Sequence, residues 1–201
     1  MNTLLLVLKI ALLIIALIMG TSYIYAVKSS WLHKTMNEAT KPVVGRATAF
    51  FARKTRLTLN RFIKAQEREF EKAIREIRED GHKSGHWMWY IFPQIRGIGE
   101  SVNAHIYSIR DLQEAKEYLE NPYLAGNLQE ICRALLALPS NDPKFVFGYP
   151  DDLKLCSSMT LFRQAAPEAS IFGKLLDKFY DGKPCELTLK ILSEQEEAAS
   201  V

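Results

Sequence analysis

Apolar positions follow two regimes along this chain. From Thr3 to Val27 they run nearly unbroken, TLLLVLKIALLIIALIMGTSYIYAV, interrupted by Lys9 and a weakly polar Gly-Thr-Ser. At about 1.5 Å of helical rise per residue, such a stretch crosses the roughly 30 Å of hydrocarbon that takes about 20 residues. It predicts a transmembrane helix over residues 1–27, anchoring the chain. A cleaved signal peptide is the rival, with Ala26 before the cut. The run is longer than a usual signal core, however, and Ile24 and Tyr25 are bulky where small residues are preferred.

Beyond Asn60 the apolar residues return at helical spacing, punctuated often. Asn60 can cap a helix that turns Ile63, Phe70, Ala73, Ile74 and Ile77 to one face and Glu67, Glu69, Lys72, Arg75 and Glu76 outward, with Gly81 past its end. A second helix follows Ser108-Ile-Arg-Asp111 and stops at Asn121-Pro122; a third, carrying Leu124, Leu128, Ile131, Leu135 and Leu138, stops at Pro139. A short segment spans Pro143 to Phe147. Asp151 or Asp152 then caps LKLCSSMTLF, which Pro167 breaks, and Ile171, Phe172, Leu175, Leu176 and Phe179 form a further face. A last helix starts near Pro184. No alternating run makes a sheet. The prediction is a mainly α, compact multi-helix single domain over residues 57–194, preceded by one N-terminal transmembrane helix and followed by an acidic disordered tail, 195–201.

Charge sharpens the topology. Residues 28–56 hold seven basic side chains against Glu38 alone, so with Lys9 the formal net of +3 leaves the rest of the chain at −4. The basic character belongs to the segment after the apolar run. A domain face built to track nucleic-acid phosphates is therefore not expected. Positive flanks stay on the cytoplasmic side, which predicts a single-pass protein of the inner membrane with its N-terminus out and its domain in the cytosol. Val43, Val44, Ala47, Phe50, Phe51 and Leu57 recur among these basic residues, so the segment reads either as an amphipathic helix on anionic lipid or as a plain basic flank. Cys132, Cys156 and Cys185 share no disulfide or zinc spacing and suit a reducing compartment.

Two stretches are rich in chemistry: GHKSGHWMWYIFPQ, Gly81 to Gln94, and FGYPDDLKLCSSMTLF, Phe147 to Phe162. Together with RFIKAQ, GIGES, YSI, EAKEYLENPYL and DGKPCELTLKIL, in order from Arg61 to Leu192, they resemble the domain-of-unknown-function family 1810. The resemblance implies a mainly helical fold and brings no established activity. The N-terminal apolar segment, Gly85 before His86, and Cys185-Glu186 depart from the family pattern.

In the first stretch Trp87 and Trp89 offer faces for stacking, His86 is the one candidate acid or base, and Lys83 brings a fixed charge. Against this, Trp87, Tyr90 and Ile91 fit one face of a short buried helix, with His86 as its cap. In the second, Lys154, Ser157 and Ser158 are suited to a phosphate or carboxylate, and Lys154 and Ser158 share a helix face. The plain alternative makes the serines small packing residues, with Lys154 in solvent. No nucleophile elbow, phosphate loop or metal motif appears, and no cofactor or metal is expected. His105 and Tyr107 read as a surface histidine and a core tyrosine. Two functions are thus in view. One is a membrane-anchored cytosolic domain gripping a small phosphate- or nucleotide-like anion among Lys83, His86, Trp87, Trp89, Gln94, Lys154, Ser157 and Ser158, with hydrolytic or glycosidic chemistry resting on His86. The other is a non-enzymatic scaffold in which both motifs are structural.

Overall fold

A computed structural model describes residues 59–200, all within one compact unit. The apolar run and basic flank predicted to anchor the chain lie outside the described residues. Among the described residues, no helix is long and apolar enough to cross a membrane.

The first helix, α1 (59–75), buries Leu59, Phe62, Phe70, Ala73 and Ile74. Asn60 lies within it, so the helix begins earlier than the expected cap. At Glu76 the helix widens into a π turn, Glu76–Asp80, closed by Gly81 at φ 73°. That widening corrects one expectation: Glu76, assigned outward from a regular helical period, is only 5% exposed beside the buried Ile77. An extra residue in the turn shifts the phase of the side chains and swings the carboxylate inward.

The remaining helices are α2 (Met88–Ile91), α3 (Val102–Ile106), α4 (Leu112–Glu120), α5 (Pro122–Ala137), α6 (Pro143–Phe147), α7 (Asp151–Ala165), α8 (Ser170–Tyr180) and α9 (Glu186–Ala199). Their boundaries follow local chemistry. Asp111 caps α4 by accepting from Glu114 N at 2.7 Å. Asn121 ends α4 and starts α5, accepting from Tyr123 N and Leu124 N with Pro122 at the first helical position. The residue before α7 is Pro150, so Asp151 and Asp152 fall in the first helical turn instead of capping it. No extended sheet is present among the described residues; an isolated parallel bridge joins Ile95 to Ile109.

Helix α7 is the axle, in contact with α4, α6, α8 and α9. Every residue from Ser157 to Phe162 is buried, so the helix is sheathed on nearly all sides. A line of rings threads the core: Phe62 to Tyr118 at 5.3 Å, Tyr118 to Phe162 at 5.1 Å, and Phe162 to Phe172 at 5.6 Å between centroids. Such spacings gain more than simple burial.

Polar clamps tie the periphery to this core. Glu114, fully buried, accepts from both terminal nitrogens of Arg61 at 3.0 Å and from Arg110 N at 2.8 Å. Gln66 donates to Tyr90 O and the Tyr118 hydroxyl and accepts from Asn127. Lys178 donates to the carbonyls of Leu135, Leu136 and Leu138, satisfying acceptors that the end of α5 leaves open. Replacing Glu114→Ala removes the acceptor shared by three donors, and urea denaturation should show a loss of about 3 kcal/mol, the low end for a broken buried pair because Arg61 is partly exposed.

Candidate functional site

The loop joining α1 to α2 is organised by one carboxylate. Glu76 Oε2 accepts from Ser84 N at 2.9 Å, Gly85 N at 2.8 Å and Trp87 Nε1 at 2.7 Å. Burial alone would push the Glu76 carboxyl up. The hydrogen bonds from Gly85, Ser84 and Trp87 outweigh it and hold the group below its ordinary value. The chain comes so close here that a Cβ on Gly85 would stand 2.8 Å from Glu76 Oε1 and 2.8 Å from Trp87 Cδ1. Trp87 is thereby fixed in the core against Phe92 and Phe147.

With the loop held, Lys83 N donates to Val146 O at 2.7 Å, which brings the loop against α6. The Lys83 ammonium then reaches Asp151 Oδ2 at 2.6 Å, while Lys154 takes Asp151 Oδ1 at 2.6 Å. One carboxylate thus holds two ammonium groups, an oxygen each. Burial raises the Asp151 carboxyl, but the hydrogen bonds and charges of Lys154 and Lys83 more than reverse this and leave it below its usual value. Lys154 Nζ stands 4.5 Å from the centroid of the half-buried Trp89 ring, and Lys83 Nζ 5.6 Å from that of Trp87. Summed over three charged groups, the cluster keeps one positive charge.

Aromatic and apolar side chains crowd the adjoining surface. Phe145, Tyr149 and Leu153 are 64%, 78% and 55% exposed, and the His82 ring lies 6.4 Å from that of Phe145. The result is a strip running from His82 and Phe145 through Lys83, Asp151 and Lys154 to Trp89. Among the described residues, open grooves also lie between Arg96–Gly97 and α9 and beside the end of α5. Among the described residues, no group of three or more His, Cys, Asp or Glu is placed to hold a metal ion.

A family model described as protein of unknown function, DUF1810, matches residues 56–192. The chain belongs to the DUF1810 family. A solved relative is the conserved hypothetical protein Rv1873 from Mycobacterium tuberculosis, 41% identical, with a TM-score of 0.65 over 67% of this chain and 96% of that one. No curated protein matches.

In this DUF1810 domain the two signature motifs do meet, through Lys83, Asp151 and Lys154. The residues expected to line a shared pocket nonetheless divide between surface and core. His86 is exposed, and it does not cap α2: Trp87 occupies that position and makes no side-chain capping bond. Gln94 is half-buried, its carbonyl accepting from Ile109 N at 2.8 Å. Lys154 is not free in solvent but paired. Ser157 is buried and shares a 2.8 Å hydrogen bond with Thr188. Ser158 is fully buried, and its hydroxyl finds no partner among the described residues. Spacing of four does put Lys154 and Ser158 on one side of α7, but that side is covered a turn further along. His105 is exposed; Tyr107 is half-buried, its ring against Phe62 and Tyr90.

Asp151 and Glu76 were the residues that sequence reasoning undervalued, one read as a cap and the other as surface charge. Lys83 lies 68 residues before Asp151, so no local spacing signals the shared carboxylate. Gly85 offers the sharpest check on this geometry. Its backbone lies outside the left-handed region, so Gly85→Ala acts through contact alone and should cost about 1–3 kcal/mol in urea denaturation, with altered Trp87 fluorescence.

Proposed function

We propose that this domain binds a small anionic, phosphate-bearing ligand on the strip around the start of α7. Lys83 and Lys154 hold the phosphate, and Trp89 and Tyr149 offer faces for a base or sugar. The observation that carries the reading is Asp151: a single carboxylate neutralises one of two converging ammonium groups, leaving a net positive charge beside exposed rings. Each lysine uses one of its ammonium donors on Asp151 and keeps others for a ligand oxygen. His86, exposed on the same loop, is the group available for proton transfer if the ligand is turned over. The apolar run Thr3 to Val27 and the basic segment after it support a tether to the cytoplasmic face of the inner membrane.

A second reading, a non-enzymatic scaffold, draws on a different observation. Trp87, Ser157, Ser158 and Thr160 are all buried, so most of both motifs is spent on folding. Thermal denaturation of the full-length protein with ADP, pyrophosphate and inorganic phosphate separates the two. Under the ligand reading, a binder at a hundred times its Kd raises Tm by roughly 5–10 °C. Lys154→Ala should then weaken affinity at least tenfold, Asp151→Asn should strengthen it by removing the internal competitor, and Ser158→Ala should leave it unchanged. Absence of stabilisation by all three anions favours the scaffold.

A further inference from the structure

The seam between α7 and the start of α9 holds two thiols that the strip does not use. Cys156 lies in the second turn of α7, and Cys185 immediately precedes α9; both are half-buried. The Thr160 hydroxyl ties them together. It donates to Cys156 O at 2.8 Å and accepts from Cys185 N at 2.8 Å, so those two backbone atoms are no further apart than twice that length. The Cys156 thiol itself points along the same seam, donating to Lys183 O at 3.7 Å. Ser157 and Thr188, hydrogen-bonded at 2.8 Å, fasten the next turn of α9 to the next residue of α7. Three contacts, Cys185 N to Thr160, Cys156 Sγ to Lys183 O and Ser157 to Thr188, therefore hold the segment around Cys185 against α7.

We propose that Cys156 and Cys185 are a redox-active dithiol that closes to an intramolecular disulfide under hydrogen peroxide, covalently joining α7 to the start of α9. In the proposed order Cys185, at the end of the connecting loop, reacts with peroxide first. Its sulfur attacks one peroxide oxygen; an S–O bond forms, the O–O bond breaks, and the departing hydroxide takes the thiol proton and leaves as water. The sulfur of Cys156 then attacks the resulting sulfenic sulfur; the S–S bond forms, the S–O bond breaks, and the second hydroxide leaves as water with the Cys156 proton. Two thiols and one peroxide give one disulfide and two waters. Two equivalents of a small thiol such as glutathione reverse it, becoming oxidised to their own disulfide.

The order of attack has a physical basis. Burial, and after it the neighbouring Cys185 thiol, push the Cys156 thiol up to about 11, so it stays protonated and serves as the resolving partner. Cys132 is the internal control: it is fully buried within α5 beside Met159, and burial drives its thiol up further. This inference stands apart from the ligand-binding strip, because it needs no ligand.

The test is peroxide treatment of the full-length protein, followed by denaturation, maleimide counting and peptide mapping. The expected result is loss of two of three maleimide-reactive thiols, a peptide linked through Cys156 and Cys185 within one chain, and full recovery with glutathione. In Cys156→Ser, dimedone should instead trap a sulfenic acid at Cys185. Three thiols surviving, separate sulfinic acids on the two residues, or a link between two chains would each overturn the proposal. The mapping of the unaltered protein decides the matter even if the variant folds poorly.

Discussion

A carboxylate without water around it must be given donors, and at Glu76 those donors are the chain's own. Three N–H groups from Ser84, Gly85 and Trp87 converge on a single oxygen. Leaving such a buried anion unserved would cost several kcal/mol, so the loop has little freedom to sit elsewhere. The constraint propagates. It fixes Trp87 in the core, seats Lys83 N on Val146 O, and thereby brings Lys83 to Asp151. Had α1 continued as a regular helix, Glu76 would face water and the loop would lose its anchor. The π turn at Glu76–Asp80 is thus the local irregularity on which the surface strip depends.

Asp151 is the second fixed point of the surface strip. It lies in the first turn of α7, where a negative charge is favoured by the helix dipole, and it meets a cation from each motif. The carboxylate fills part of the role that an anionic ligand would play, and any such ligand competes with it. What the carboxylate cannot do is cancel both lysines. The serines further along α7 meet a different need. Surrounded by four other helices, α7 has little room for large side chains, and Ser157 and Thr160 spend their hydroxyls on Thr188 and on the backbone of Cys156 and Cys185.

Much of the fold is legible from residue patterns because the helices are short and each ends on a strong local signal. Asn121-Pro122, Pro139, Gly148 and Pro167 all fall at or next to real boundaries, since proline and capping side chains act through neighbouring backbone alone. The burial of Trp87 was likewise readable from its spacing with Ile91. What escaped was non-local. Nothing near Glu76 announces a π turn, since its donors lie eight to eleven residues away. The short α3, capped by Ser101, buries none of its residues and so leaves no apolar period to read. The division of Lys154 from Ser158 arises from α7 passing under its neighbours, which helical spacing does not encode. Pairing of Cys156 with Cys185 depends on Thr160, a contact across twenty-five residues.

The most direct test of this account is amide hydrogen exchange in Glu76→Ala compared with the unaltered protein, read by mass spectrometry over residues 81–87 and over α5 and α8. If the buried carboxylate holds the loop, exchange at Ser84 and Gly85 accelerates at least tenfold while the cores of α5 and α8 keep their protection. Unchanged protection in the loop would mean that something other than Glu76 places Lys83 on Asp151, and would contradict the account at its root.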